Sequence, residues 1–242
     1  TRRLNFTLYP DGSPLASSFA TLTSDDLIVD ENGLFELFIG GKKREPNWLP
    51  LKTERYRLLI RQIYSDWDNE KAGDIHIDRI DKDRPLYPSL SKEKMIANLD
   101  DATHDFKTNV QLWPELSRTR FALLMPPNTL TPPRDTGVEG GLTGRWLVGG
   151  QFNLADDEAL IISTKKTEAK YQSIQLGHHW WESLDYANRQ TSLTIDQSFA
   201  DTDGTIRYVI SQKDPAIQNW LDTEGFKRGV ILMRFDGLDR PL

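Results

Sequence analysis

Cysteine is absent from the 242-residue chain, and with it go disulfides, thiolate metal sites and cysteine nucleophiles. The same absence leaves the compartment open. A soluble chain without thiols folds alike in the cytoplasm and in an oxidising periplasm. No apolar run reaches the roughly 18 residues of a membrane span, so no spanning segment is expected. A basic face is also lacking: Lys+Arg 30 against Asp+Glu 36 gives a net charge of −6. Neutralising a phosphate backbone needs the opposite balance, so nucleic acid is excluded as a general partner. The chain has no Gly-x-Ser-x-Gly elbow and no phosphate loop ending in Gly-Lys-Ser/Thr. Gly149-Gly150 leads into Phe152 and Leu154, a strand pattern, where a dinucleotide site would need a helix. Histidine is scarce, at four residues, and adjacent strand residues such as His178 and His179 point to opposite faces. No metal and no cofactor is therefore expected.

What is present is a β pattern. Seven Trp and ten Phe supply a core, and a chain of this length buries roughly 70% of its unfolded surface without staples. Leu4, Phe6 and Leu8 alternate with polar neighbours, the period of a half-buried strand. Asp30-Glu31-Asn32-Gly33 between Leu27–Val29 and Leu34–Ile39 signals a hairpin. Tyr56–Tyr64 reads as a further strand, and Ile75, Ile77 and Ile80 as another. From Ser91 the texture changes: an N-cap precedes Met95, Leu99, Ala102, Phe106 and Val110, which step by 4, 3, 4 and 4 along a helix that Pro114 interrupts or kinks. Pro126–Pro133 is an extended connector. Strand patterns then resume at Trp146–Leu154, Ala159–Ser163, Tyr171–Leu176, Ser192–Phe199, Thr205–Ile210 and Val230–Phe235. The expected class is mainly β: two jelly-roll-like β-sandwich lobes, residues 1–90 and 146–242, joined by a helix and Pro/Gly-rich connector over 91–145.

The two lobes share a motif order. Asp30–Gly33, a strand, Asn47-Trp48-Leu49 and Arg57–Arg61 match Asp201–Gly204, a strand, Asn219-Trp220-Leu221 and Gly229–Arg234. Gly to Trp spans 15 and 16 residues, and Trp to Arg spans 13 and 14, which points to internal duplication. In each copy Asn can close a turn, Trp can plug the end of a sandwich, and Arg can bond a carboxylate or loop carbonyls. The alternatives are a structural corner and a Trp/Arg ligand platform, whose second-lobe members are Asn219, Trp220, Asp222 and Arg234.

The stretch Gln175-Leu176-Gly177-His178-His179-Trp180-Trp181-Glu182-Ser183-Leu184-Asp185-Tyr186, with Asn188-Arg189, Asp203-Gly204, Asp214-Pro215 and Asn219–Gly225, resembles the family carrying the domain of unknown function 1214. That domain often stands beside the domain of unknown function 1254. The likeness is strong over 150–236 and looser through Asn47–Leu49, Tyr64–Trp67 and the Pro-Pro-Asn connector. It implies a jelly-roll-like architecture, and a further helical N-terminal segment in longer relatives that is missing here. It implies no activity, so it supplies no catalytic residues. Ala216 departs from the Gly that relatives more often place after Asp-Pro, which implies a stiffer turn.

Glu182, Asp185 and Arg189 beside Trp180 and Trp181 form the pattern a sugar-handling site would use, with rings stacking and acids transferring protons. His178 joins Glu182 and Asp185 as a candidate catalytic group, and Trp181 and Arg189 as candidate ligand contacts. The same residues also describe an edge loop with one ion pair. The leading expectation is a tandem β-sandwich module that binds a small ligand or partner and self-associates as a homo-oligomer. The alternative is an enzyme acting on a carbohydrate or other small organic substrate through that carboxylate/His/Trp pocket. A shell-like structural role, the third reading, rests only on fold analogy.

Overall fold

The computed structural model describes residues 2–12, 16–52, 55–80, 89–119, 125–137, 141–142 and 144–238. Among these the chain is mainly β, with one α-helix set between two β halves. The first half holds β1 (Arg3–Pro10), β2 (Ala20–Thr23), β3 (Phe38–Ile39), β4 (Trp48–Leu49) and β5 (Tyr56–Ile63). After α1 (Lys92–Ser117) come two short strands, β6 (Thr129–Leu130) and β7 (Arg134–Asp135), and then the second half. Its strands are β8 (Arg145–Asn153), β9 (Ala159–Lys165), β10 (Tyr171–Gly177), β11 (Ser192–Thr194), β12 (Thr205–Ser211), β13 (Trp220–Asp222) and β14 (Arg228–Asp236).

The second half is a β-sandwich. One sheet runs β11-β10-β14-β8-β6, with β7 also on β8, and the other runs β13-β12-β9. Alternation along each strand sends one set of side chains inward. Val148, Phe152, Ile174, Leu176, Ile231, Met233 and Phe235 of the first sheet meet Ile162, Ile206, Tyr208, Ile210 and Leu221 of the second. Tyr208 is the one polar tip in this layer, and its hydroxyl is matched by Ser198 Oγ at 3.0 Å. Burial raises the Tyr208 pKa, with Ser198 opposing the shift. The first half builds a smaller core of Phe6, Leu8 and Leu49 between the sheet β2-β1-β5 and the pair β3-β4.

The two halves repeat one arrangement in chain order. β1, β2 and β5 pair as β10, β11 and β14 do, all antiparallel, while β3–β4 and β12–β13 are both parallel. The corner residues repeat the same bonds. Asn47 Oδ1 accepts from Ile28 N–H, and its Nδ2 donates to Ile28 and Glu36 carbonyls. Asn219 Oδ1 accepts from Phe199 N–H, and its Nδ2 donates to Phe199 and Arg207 carbonyls. Trp48 Nε1 donates to Gly40 O, and Trp220 Nε1 donates to Ser211 O and Oγ. An Asn amide mimics a backbone unit, so one side chain fastens a long loop to the start of the next strand. Strands β8 and β9 have no counterpart in the first half among the described residues.

Several local expectations are corrected. Residues 71–80, with Ile75, Ile77 and Ile80, form no strand; Ile77 and Ile80 are exposed there. Asp30–Gly33 makes its turn, with Asp30 N–H donating to Leu34 O, but the flanking segments continue as loop except for Phe38–Ile39. Ser192–Phe199 yields strand only over Ser192–Thr194, because Thr194 and Gln197 close a turn. The connector contributes β6, admitted because it lies at the sheet edge. Gly150 faces β6 so closely that a Cβ there would meet Thr129 O at 2.5 Å. Helix α1 starts as read, with Ser91 Oγ accepting from Lys94 N–H, yet it runs through Pro114 to Ser117. Its apolar stripe is uncovered: Leu99 is 60% exposed and Phe106 69%. Ala216 adopts φ 58°, the left-handed region Gly tolerates better, so the turn after Asp214-Pro215 is strained and not merely stiffer.

The halves meet across a polar seam. Asp236 in β14 is 1% exposed and takes a hydrogen bond from Arg145 Nη2 at 2.7 Å, while Arg3 Nη1 of β1 stands 3.5 Å away. Arg3 Nη2 also reaches Asp25, which Lys170 bonds at 2.6 Å. Arg2 pairs with Asp196, and Thr194 Oγ1 donates to Ser65 O. Asp236→Asn leaves two buried guanidinium groups without their shared anion and is expected to cost about 3–5 kcal/mol, read as a lower urea midpoint with both halves affected together.

Candidate functional site

The residues singled out between 178 and 189 lie on one continuous turn beyond β10. His178 N–H donates to Glu182 O at 3.0 Å and Trp181 N–H to His178 O at 3.1 Å, after which Gly177 bridges to Ser183. The fold brings His178 and Glu182 together: Nε2 and Oε2 are 2.7 Å apart, with the Glu182 side chain 72% exposed. The other ring nitrogen, Nδ1, accepts from Trp180 N–H at 3.1 Å, so both His178 nitrogens are engaged. Its ring packs edge-on to Phe226. Trp181 has φ 65° and lies against Leu147, Val230 and Leu232 with Met125. A β-carbon residue in that region is held there by packing.

Asp185 points elsewhere. Its carboxylate accepts from the Asn188 backbone N–H and from Nδ2, and its own N–H donates to Glu224. The Asn188 side chain leads the causes that hold the Asp185 carboxyl below its usual range, with backbone N–H groups adding to it. Such a carboxylate stays ionised and caps a turn, the opposite of a general acid. Arg189 Nη1 bonds Asp222 Oδ2 at 2.9 Å, which raises the Arg189 pKa, and Asp222 Oδ1 accepts from Glu224 N–H at 2.7 Å. Asn219 and Trp220 spend their polar atoms on the corner described above. Arg234 lies in β14 and donates to Gln175 Oε1 at 2.8 Å, and among the described residues it reaches neither the carboxylate nor the loop carbonyl that the corner pattern suggested.

A concavity lies beside this turn, between the halves. It measures about 300 Å³, the lower end of ligand-site volumes. Trp67 enters from the first half, Tyr186 from the turn, and Tyr171, Ser173 and Gln175 from one face of β10. Trp67 and Tyr186 meet edge to face at 6.2 Å. His178, Glu182 and Asp185 are not among its lining residues. Sequence reading missed Tyr171, Ser173 and Gln175 as a site. Their alternation with Gln172, Ile174 and Leu176 was a usable signal, because a strand buried on one face by apolar residues presents its polar set to something else. No three His, Asp or Glu side chains converge as a metal would require among the described residues. No helix among them is long and apolar enough to cross a membrane.

His179 gives this region a pH response. Its Nδ1 is buried without a hydrogen-bond partner among the described residues, and burial first, then the charges of Arg228 and His178, lower its pKa from the usual 6.5. The unfolded chain binds the proton at higher pH than the folded one, so folded-state stability falls as pH drops below 6.5. His179→Gln is expected to flatten the part of the stability profile between pH 7 and 5, measured as the urea midpoint at successive pH values. A profile unchanged by the substitution would contradict this account.

No known family model matches the chain, and no curated protein matches it. It is similar to the crystal structure of an uncharacterized protein from Burkholderia cenocepacia at TM-score 0.87 and 25% identity, covering 99% of this chain and 67% of that one. A second solved structure, the VPA0106 protein from Vibrio parahaemolyticus, aligns at TM-score 0.46 and 11% identity over 98% of this chain and 78% of the other.

Proposed function

We propose that the chain is a non-catalytic binding module that takes a small ligand in the cavity between its halves and self-associates through α1. The cavity carries the reading. Three aromatic side chains, Trp67, Tyr171 and Tyr186, face hydroxyl and amide groups of Ser173, Ser183, Ser192, Thr194 and Gln175 across about 300 Å³. Apolar walls with a few fixed polar groups are the general composition of small-molecule sites. Self-association is supported by the helix. Met95, Ile96, Leu99, Phe106 and Val110 are all at least 45% exposed on a helix of 26 residues, about 39 Å long, whose last turn is partly buried. The repeated Asn-Trp corner supports descent of both halves from one duplicated unit. Membership of the domain of unknown function 1214 family is part of the same proposal, resting on the motif stretch 175–225.

Native mass spectrometry of the chain purified from its source tests both arms. The expected spectrum is an oligomer retaining a small molecule. Trp67→Ala should release the ligand and Phe106→Glu should give monomers, each with unchanged thermal unfolding. A monomer with nothing bound overturns the proposal.

An enzyme acting on a carbohydrate or other small organic molecule is the second reading, favoured by the His178–Glu182 contact at 2.7 Å beside Trp181. Under it, Glu182→Gln loses about a hundredfold or more in turnover of a glycoside panel. Equal turnover by both proteins removes that carboxylate from any chemistry.

A further inference from the structure

Next to the wall of the interlobe cavity stands a cation that no carboxylate neutralises among the described residues. Arg234 is not itself a lining residue; it stands opposite Ser173 on the neighbouring strand and bonds Gln175, both of which line the cavity. Its Nη1 donates to the neutral Gln175 Oε1 at 2.8 Å, and it forms no ion pair among the described residues. The nearby carboxylates are already shared: Asp236 between Arg145 and Arg3, and Asp25 between Arg3 and Lys170. Along the seam Arg2, Arg3, Arg145 and Lys170 each reach a carboxylate, and Arg234 reaches none among the described residues. Burial, with the repulsion of Arg145, lowers the Arg234 pKa from its ordinary value, but a guanidinium remains charged at any physiological pH.

A second observation points into the same space. Ser173 is 4% exposed, lines the cavity, and its Oγ has no hydrogen-bond partner among the described residues. A buried hydroxyl left unmatched costs free energy that a ligand acceptor would recover. Gln175 is already turned by its neighbours: its Nε2 donates to Ser183 Oγ at 2.7 Å, which aims Oε1 at Arg234. The amide oxygen therefore occupies the place where an anionic oxygen would gain most. Around this polar corner the walls are the rings of Trp67, Tyr171 and Tyr186.

We propose that the cavity binds a small aromatic carboxylate, its anionic oxygens received by Arg234 and the Ser173 hydroxyl and its ring held against Trp67 and the two tyrosines. This rests on the reading of the cavity as the ligand site and adds the charge and shape of the ligand. A neutral sugar would leave Arg234 uncompensated, whereas a monoanion matches a cation beside the cavity whose partner is neutral. A planar carboxylate also fits the guanidinium fork in a way a single point charge does not.

The test uses the intact chain titrated with benzoate and with benzamide, which share a ring and differ in charge, followed by calorimetry and by Trp fluorescence. Benzoate is expected to bind about ten- to a hundredfold more tightly than benzamide, the range of one charge-assisted hydrogen-bonded contact. Arg234→Gln should erase that preference, Arg234→Lys should keep part of it, and Ser173→Ala should weaken benzoate alone. Equal binding of the two probes overturns the anion inference while leaving the cavity as a ligand site. Binding of neither overturns both readings. The comparison on the unsubstituted chain needs no variant to fold.

Discussion

One carboxylate organises the molecule. Asp236 is fully removed from water at the end of the last strand, and an ionised group in that position must have cations at hand. Arg145 comes from the adjacent strand of the same sheet, but Arg3 comes from the first strand of the chain. Meeting the demand of Asp236 therefore ties the start of the first half to the end of the second. With that contact made, Asp25 and Lys170, Arg2 and Asp196, and Ser65 and Thr194 close along the same seam.

The cavity follows from the seam. Trp67 reaches the face of β10 only because the loop after β5 is carried across by these bonds, and Tyr186 meets it from the opposite side. The sandwich core beneath is apolar on both sheets and fixes β10 and β14 rigidly, so the outward face of β10 is a stable platform for polar groups. Arg234 shares that face while the carboxylates around it are committed elsewhere. Charge imbalance at the seam and the shape of the cavity thus have one origin, the pairing pattern of three arginines.

The turn over residues 178–189 shows why a chemistry-bearing composition need not make a site. His, Glu, Asp, Arg and two Trp crowd a dozen positions, yet most of their polar atoms go into backbone geometry: Asp185 into the Asn188 amide, Arg189 into Asp222, His178 Nδ1 into Trp180 N–H. Loops have many backbone donors to satisfy, and short polar side chains are the nearest acceptors. The Asn219-Trp220 corner is the same economy in apolar form, and its repetition at Asn47-Trp48 shows that the bonds serve the fold twice over.

Strand and helix periodicities, the Ser91 cap and the paired Asn-Trp-Leu segments were legible in the chain alone, because each depends on neighbours within a few residues. The mainly β class followed from them. Ile75, Ile77 and Ile80 misled because alternation proposes a strand but only a partner strand with unpaired N–H and C=O groups makes one. Pro114 does not end α1, which continues to Ser117; the missing proline N–H costs one ladder bond but leaves the turn beyond it in place. The cavity was invisible for a different reason. Trp67 stands more than a hundred positions before Ser173 and Tyr186 in sequence, and no local rule connects it to them. Which polar side chains would be consumed by the backbone, and which left facing open space, was decided only when Asp236 drew the two halves together.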